Sequence, residues 1–291
     1  MGKGVIMWKL GMAIMLGILV VSAPSESQPS KEADKIEREL AALAWQKGPT
    51  EGHLGGLATV KVEEHEAFLD GPNTRRFLEL NGNPPRDNHY TLVGPEMAWF
   101  AVFSFNDTGY VKDDEKLDPD ALLKALRDAD GPGNEERKRL GMTPLYTDGW
   151  HVPPHYDPTT KQLEWGVRLR NHDGRPLINY TVRLLGRRGV MQATLVSDPQ
   201  RLEHDISEFK AALTGYSFVA GERYAEFRRG DRVAEYGLAA LVLGGAAVVA
   251  TKTGFLKAFG KLIVIGVVGL GSAVAAFFRR FSRREPSPRV G

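Results

Sequence analysis

The sequence predicts an α+β fold: an antiparallel sheet, including a three-strand meander, packed with helices and followed by a C-terminal membrane-helical anchor. Three observations carry this reading. Mid-chain, Leu163, Trp165, Val167 and Leu169 alternate with Glu164, Gly166, Arg168 and Arg170; Tyr180, Val182 and Leu184 alternate in turn, and Met191, Ala193 and Leu195 give a third such run, the pattern of strands with one buried face. Segments of helical spacing flank these strands, the grouping of an α+β domain rather than of alternating βαβ units. At the end, an uncharged run of 17 residues, 262–278, is followed at once by Arg279, Arg280, Arg283 and Arg284.

The chain opens on Lys3 and Lys9 ahead of an apolar core, residues 10–21, and Val21-Ser22-Ala23 supplies the small residues a signal peptidase reads. Residues 1–23 therefore read as a secretory signal. Pro24 would hinder an extended chain at the scissile bond, so cleavage after Ser25 competes with cleavage after Ala23, and an uncleaved signal anchor is the alternative to both. No Cys follows the core, which excludes lipid attachment there. Residues 24–30, rich in Pro and Ser, are expected to form a disordered leader.

Residues 31–236 form the exported domain in this reading. Ile36, Leu40 and Leu43 at i, i+4 and i+7 predict an amphipathic helix over 31–45, stopped by Gly48 and Pro49. Residues 57–62 alternate as a strand, and Gly71-Pro72 opens a short helix carrying Phe77, Leu78 and Leu80 before the turn-rich NGNPPRDN. The aromatic run AWFAVFSF, 98–105, reads as a buried central strand. After a loop at 109–118, Asp118 caps a helix with Pro119 in its first turn and Leu122, Leu123 and Leu126 facing inward. Gly131-Pro132-Gly133 is expected to break the chain before a second charged helix, 134–140. Asn171-His172-Asp173-Gly174 and Gly186 to Gly189 are the turns of the meander. Ser197-Asp198-Pro199 starts a helix whose Leu202, Ile206, Phe209 and Leu213 share one face, ending at Gly215.

At about 1.5 Å per residue, a helix over 262–278 approaches the ~30 Å hydrocarbon core and can span it. The earlier run, 237–250, has the length of a re-entrant, interfacial or buried helix. Phe255, Phe259 and Leu262 fall at i, i+4 and i+7, with Lys252, Lys257 and Lys261 free to turn to headgroups, so 237–261 is expected to be a short apolar or interfacial helical segment. The arginines after the span put the basic tail, 279–291, in the cytoplasm and the domain in the periplasm of a bacterial inner membrane. Should both apolar runs cross, domain and tail would share one side, against that charge rule. Small residues four apart, such as Gly269/Ala273 and Ser272/Ala276, open a route to a homo-oligomer through close helix packing; Ala and Gly merely filling the span is the plainer account.

The net charge of +2 averages unlike parts. Residues 24–236 carry 28 Lys and Arg against 35 Asp and Glu, whereas 237–291 carry 8 against 1. The exported domain is thus acidic, which argues against nucleic acid as a partner and leaves the tail arginines for anionic lipid headgroups. There are no cysteines. Thiol catalysis and Cys-based metal sites are excluded, and the domain must be held by its core without disulfides.

Five ordered strings, GYVKDDEK (109–116), NEERKRLG (134–141), GWHVPPHYDPTTKQLEWG (149–166), NYTVRLLGRRGV (179–190) and GERYAEFRRGDRVAEYGLAALV (221–242), resemble the bacterial membrane-anchored proteins grouped as domain of unknown function twenty-one sixty-seven. The likeness covers most of the chain from Leu40 to the anchor. The resemblance implies a Gram-negative envelope location; it implies no activity and carries over no catalytic residue.

Candidate binding residues stand on residue type. Asp113 and Asp114, beside Glu115, have the chemistry to bind a divalent cation or to act as acid and base, with solvated surface charge as the competing account. His151 and His155 would suit a metal if they lay on a helix, but Pro153 and Pro154 between them exclude one, leaving a satisfied loop or a cleft wall. Trp150, His155, Tyr156 and Asp157 combine large apolar surface with polar handles, the composition of a ligand pocket; against this, Trp165 reads as core, with Trp150 and Tyr156 bracing a double-proline loop. Arg187, beside Arg188, is placed to meet a carboxylate or phosphate, or is simply an exposed turn arginine. HExxH, Walker A, Gly-x-Ser-x-Gly and Rossmann glycine patterns do not occur, so no catalytic residue is assigned and no cofactor or metal is expected. Two classes of function follow. One is a binding or scaffolding domain facing the periplasm, with the lipid bilayer and another envelope protein as partners; the other is a membrane-tethered, hydrolase-like enzyme using Asp113, Asp114, His155 and Asp157.

Overall fold

A computed structural model of the chain describes residues 31–83, 85–139, 143–171, 174 and 176–244. The predicted signal (1–23), leader (24–30), span (262–278) and tail (279–291) lie outside the described residues, as do His172 and Asp173 of the predicted turn. Among the described residues, no helix is long and apolar enough to cross a membrane.

The domain is α+β, as the pattern predicts. Helix α1 (Lys31–Ala41) buries Leu40. It ends four residues before the predicted 45, because the Trp45 indole turns back and donates Nε1–H to the Leu40 carbonyl at 2.8 Å, satisfying an orphan helix-end acceptor. The chain then runs extended through β1 (Gln46–Lys47), β2 (Thr50–Leu54), β3 (Ala58–Val62) and β4 (Ala67–Leu69). Asp70 caps α2 (Gly71–Leu80) by accepting the Asn73 amide at 3.1 Å, and β5 (His89–Val93) and β6 (Trp99–Asn106) follow. Helix α3 (Pro119–Asp128) is capped by Asp118 as expected, with Leu122 and Leu126 buried. The expected Gly131-Pro132-Gly133 break is not a break: α4 (Asp130–Arg139) takes it into its first turn, where the missing proline N–H has no intrahelical acceptor to lose.

Strands β7 (Leu145–Asp157), β8 (Gln162–Asn171), β9 (Pro176–Leu185) and β10 (Val190–Ser197) extend the predicted three-strand meander by one. The extra strand is the segment read as a double-proline loop. It lies at the edge of the sheet, where a proline without N–H forfeits no ladder bond, and it absorbs its irregularity in register shifts between Thr147 and His155. After a turn closed by the Gln200 amide on Asp198 at 2.8 Å, α5 (Leu202–Leu213) buries Leu202, Ile206, Phe209 and Leu213, each worth about 1.5–3 kcal/mol against exposure. Then come β11 (Tyr216–Phe218) and α6 (Leu238–Val242).

The described strands form an eight-stranded sheet, ordered β1-β4-β5-β6-β10-β9-β8-β7, and a three-stranded sheet, β11-β3-β2. Strand β6 is central, as its unbroken apolar run predicts. The main core lies between the two sheets and α5, joining Leu54, Val60, Phe103, Tyr180, Val182, Leu195 and Phe209. On the other face of the large sheet, α1 and α2 cover one end through Phe77, Leu78, Phe100 and Val102, while Leu122, Leu126, Trp165, Leu185, Leu238 and Leu241 pack the other end. The first residues of the apolar run 237–250 therefore sit inside the domain core: Leu238 is 0% exposed and Leu241 1%.

Candidate functional site

The loop predicted at 109–118 carries the site. Gly109 has φ of +91°, and its Cα lies too close to the backbone at Arg232 and Ala234 to admit a side chain. Beyond it the chain is pinned by Tyr110 N–H on Arg232 O at 2.8 Å, Ala234 N–H on Tyr110 O at 2.9 Å and the Tyr224 hydroxyl on Val111 O at 2.9 Å. This anchoring delivers Asp113 to the β7–β8 hairpin. There its Oδ2 accepts the Tyr156 hydroxyl at 2.7 Å and the Lys161 ammonium at 2.8 Å. Lys161 holds a positive φ of +58°, an uncommon conformation for a residue with a side chain, and its ammonium lies 5.0 Å from the Tyr224 ring centroid. Tyr110 stacks on Tyr224 at 4.4 Å and meets Phe227 at 4.3 Å.

Electrostatics follow from these contacts. Burial works to raise the Asp113 pKa, but hydrogen bonds from Lys161 and Tyr156, with the Lys161 charge, outweigh it and hold the carboxyl below its ordinary range. Tyr156 and Tyr224 are pushed up, by burial first, then by hydrogen bonding and by the Asp113 charge. At neutral pH the arrangement is a carboxylate clasped by an ammonium and a neutral phenol. Beside it an open cavity of about 260 Å³ is walled by Lys161, Gln162, Tyr216, Phe218, Arg223 and Tyr224, somewhat smaller than is usual for small-ligand sites.

Of the predicted site residues, the structure brings Asp113 and Tyr156 together. Asp114 is exposed. Its neighbour Glu115 accepts the Ala239 amide at 3.0 Å and so caps α6 from across the chain. His155 is exposed, and Asp157 is closed in its own turn, accepting Thr159 N–H and the Thr160 hydroxyl at 2.8 Å each; alternation along a strand sends both away from Tyr156. Trp150 braces α3, its Nε1–H donating to Pro119 O at 3.0 Å. Arg187 forms a two-pronged pair with Asp231, at 2.7 and 2.8 Å, and also donates to Gly221 O, so its fork is filled from within. Sequence reasoning missed Lys161, Tyr224 and Tyr110. No spacing marks them; Tyr110, Lys161 and Tyr224 stood unremarked inside three of the five family-like strings. Among the described residues, His204, Asp205 and Glu208 on α5, whose ligand atoms lie within 4.8 Å of one another, form a group whose donor types suit a divalent cation. Ser197 and Arg201 already engage Asp205, while Trp99 and His204 engage Glu208.

Fold and site together define an α+β domain with a two-sheet core and a tyrosine-lined ion pair beside a cavity. The chain belongs to the family described as Protein of unknown function (DUF2167), which it matches over residues 46–275. No curated protein matches it. Among solved structures it is similar to the solution structure of cyanobacterial PsbP (CyanoP) from Synechocystis sp. PCC 6803, with 10% identity over 60% of this chain and 92% of that chain and a TM-score of 0.33, a likeness too slight to build on.

Proposed function

We propose that this is a membrane-anchored binding or scaffolding domain facing the periplasm, and that its ligand or partner docks at the cavity beside Lys161. The observation that carries it is how the carboxylates are used. Asp113 is neutralised by Lys161 and hydrogen-bonded by Tyr156, Glu115 caps a helix, and Asp157 closes a turn. A hydrolase needs an acid and a base within hydrogen-bonding reach of one substrate, and these groups point apart. What the site does offer is rigid aromatic surface with polar tips, the material of recognition.

Anchoring rests on the apolar run 262–278 and the arginines behind it, which by the charge rule leave the tail in the cytoplasm and the acidic body outside. The partners in this reading are the bilayer, through the span and tail, and another envelope protein, through the cavity face; small-residue helix faces supply a route to self-association.

Two experiments test this. A reporter active only in the cytoplasm, fused after Val290, is expected to be active. A photo-crosslinking residue at Ser217, on the cavity wall, is expected to give a discrete adduct in cells where the same residue at Lys124 on α3 gives none. Turnover by the full-length protein that disappears in Asp113→Asn with the fold intact would establish the tethered enzyme instead.

A further inference from the structure

The face of the large sheet that α2 and α6 pack against is apolar at both ends and polar between. Phe100, Val102 and Val196 stand at one end, and Trp165, Leu185 and Val190 at the other. Between them, strand register sets His89 of β5, Ser104 of β6, Gln192 of β10 and Arg183 of β9 opposite one another in one cross-strand row. All four belong to this face, because each lies two or four residues from a cluster member, respectively Val93, Val102, Val190 and Leu185, and side chains on one face repeat every second residue.

Such a row in mid-sheet is costly unless its groups are paired. Arg183 is 8% exposed, with its guanidinium carbon 6.0 Å from the Trp165 ring centroid. Among the described residues its Nε has no hydrogen-bond partner, and no carboxylate pairs with it. Among the described residues two more buried donors are also unpartnered: Asn106 Nδ2, on the same face two residues from Ser104, and the hydroxyl of Tyr236, on the segment entering α6. Tyr236 lies close enough to Arg183 to act on it electrostatically. The imbalance is one of charge: a buried cation and unpaired N–H and O–H donors with, among the described residues, no anionic acceptor beside them; Gln192, which gives one amide hydrogen to Thr194 Oγ1 at 2.9 Å, keeps its second N–H.

We propose that this strip binds an oxyanion, a carboxylate or phosphate group, with Arg183 as its principal partner and Asn106, Gln192 and Tyr236 donating beside it. The site lies outside the Asp113 cluster and does not depend on its role. An oxyanion supplies the negative charge that the strip lacks, with lone pairs for its unpartnered donors, and arginine's planar fork matches it with two parallel bonds. The donors come from three adjacent strands and the segment before α6, so occupancy would tie that segment to the sheet.

The test is thermal unfolding of the full-length protein in a zwitterionic detergent. It is titrated with inorganic phosphate, with succinate and with short-chain phosphatidylglycerol, each against sodium chloride at matched ionic strength. The anion that binds, at a hundred times its Kd, is expected to raise Tm by about 5 to 10 °C over chloride, and which of the three does so identifies its source. Arg183→Met is expected to abolish that rise and to raise the ligand-free Tm, since an apolar side chain of similar size removes an unpaired buried charge. Tyr236→Phe and Asn106→Leu are expected to weaken binding severalfold, and Arg183→Lys, which keeps the charge without the fork, about tenfold. A Tm indifferent to all three anions, or a rise that survives both Arg183 substitutions, overturns the proposal.

Discussion

The Tyr156 hydroxyl donates to Asp113 Oδ2 at 2.7 Å across 43 residues of sequence, and the same oxygen takes the Lys161 ammonium at 2.8 Å. Loop 109–118 is thereby fastened to the β7–β8 hairpin by one carboxylate. Through Glu115, two residues on, the same loop holds the start of α6.

Tyr156→Phe deletes one donor to an ionised acceptor and is expected to cost about 1.5–2 kcal/mol. Asp113→Ala should cost more, because it also strands the Lys161 charge. A double-mutant cycle read by urea unfolding should give a coupling of about 1 kcal/mol between positions 113 and 156; strict additivity would show that the bond contributes nothing.

Glu115→Ala uncaps α6 and is expected to cost about 1 kcal/mol, with the loss concentrated there. Hydrogen exchange should show faster amides at 238–242 and unchanged ones in β9 and β10. Gly237→Ala should mimic it, because a Cβ at 237 collides with the Glu115 carboxylate. Uniform acceleration across the domain would contradict a local cap.

Leu238 and Leu241 are core residues despite belonging to an apolar run that reads as membrane-associated. Leu238→Ala is therefore expected to cost about 2–5 kcal/mol. A truncated chain ending at residue 244 should unfold at higher denaturant than one ending at 236; equal midpoints would place the domain boundary before α6.

Arg187 holds the Asp231 carboxyl at about 2, from an ordinary 3.8, through its hydrogen bonds, helped by the Arg228 amide. The folded-state value is the depressed one, so the pair's contribution is fully present above the ordinary value and is lost as pH falls through the interval down to the folded one. Asp231→Asn should flatten the fall in Tm across that acid interval and leave the neutral limb parallel to the parent. Curves that stay parallel in acid as well would mean the pair does not stabilise the fold.

Much of the architecture was legible because burial repeats. The period-two runs at Leu163, Tyr180 and Met191 and the helical faces at Leu122 and Leu202 mark one-sided burial, and the structure has them there. Strand β7 was illegible for a physical reason: its prolines and bulges are tolerated only because it is an edge, and an edge is a property of the finished sheet. Short pieces such as β1, β4 and β11 carry too few residues to show any period. At the site, Asp113 and Tyr156 were marked by residue type, whereas Lys161 and Tyr224 join them only because a hairpin turn and a distant segment meet the same loop.

The amino-acid sequence alone determined the α+β class, the central place of Trp99–Asn106, the family and the expectation of a tethered, acidic body, because each rests on composition, on local period or on ordered strings of residues. Tertiary structure decided which charges are spent on holding the fold. It sends Asp157 into its own turn, gives Glu115 to a helix 124 residues away, fills Arg187 with Asp231, and leaves Arg183 buried beside Trp165 with its Nε unpartnered among the described residues. A charge acquires its role from the partner that reaches it, and partners far apart in sequence are set by packing and register rather than by spacing along the chain.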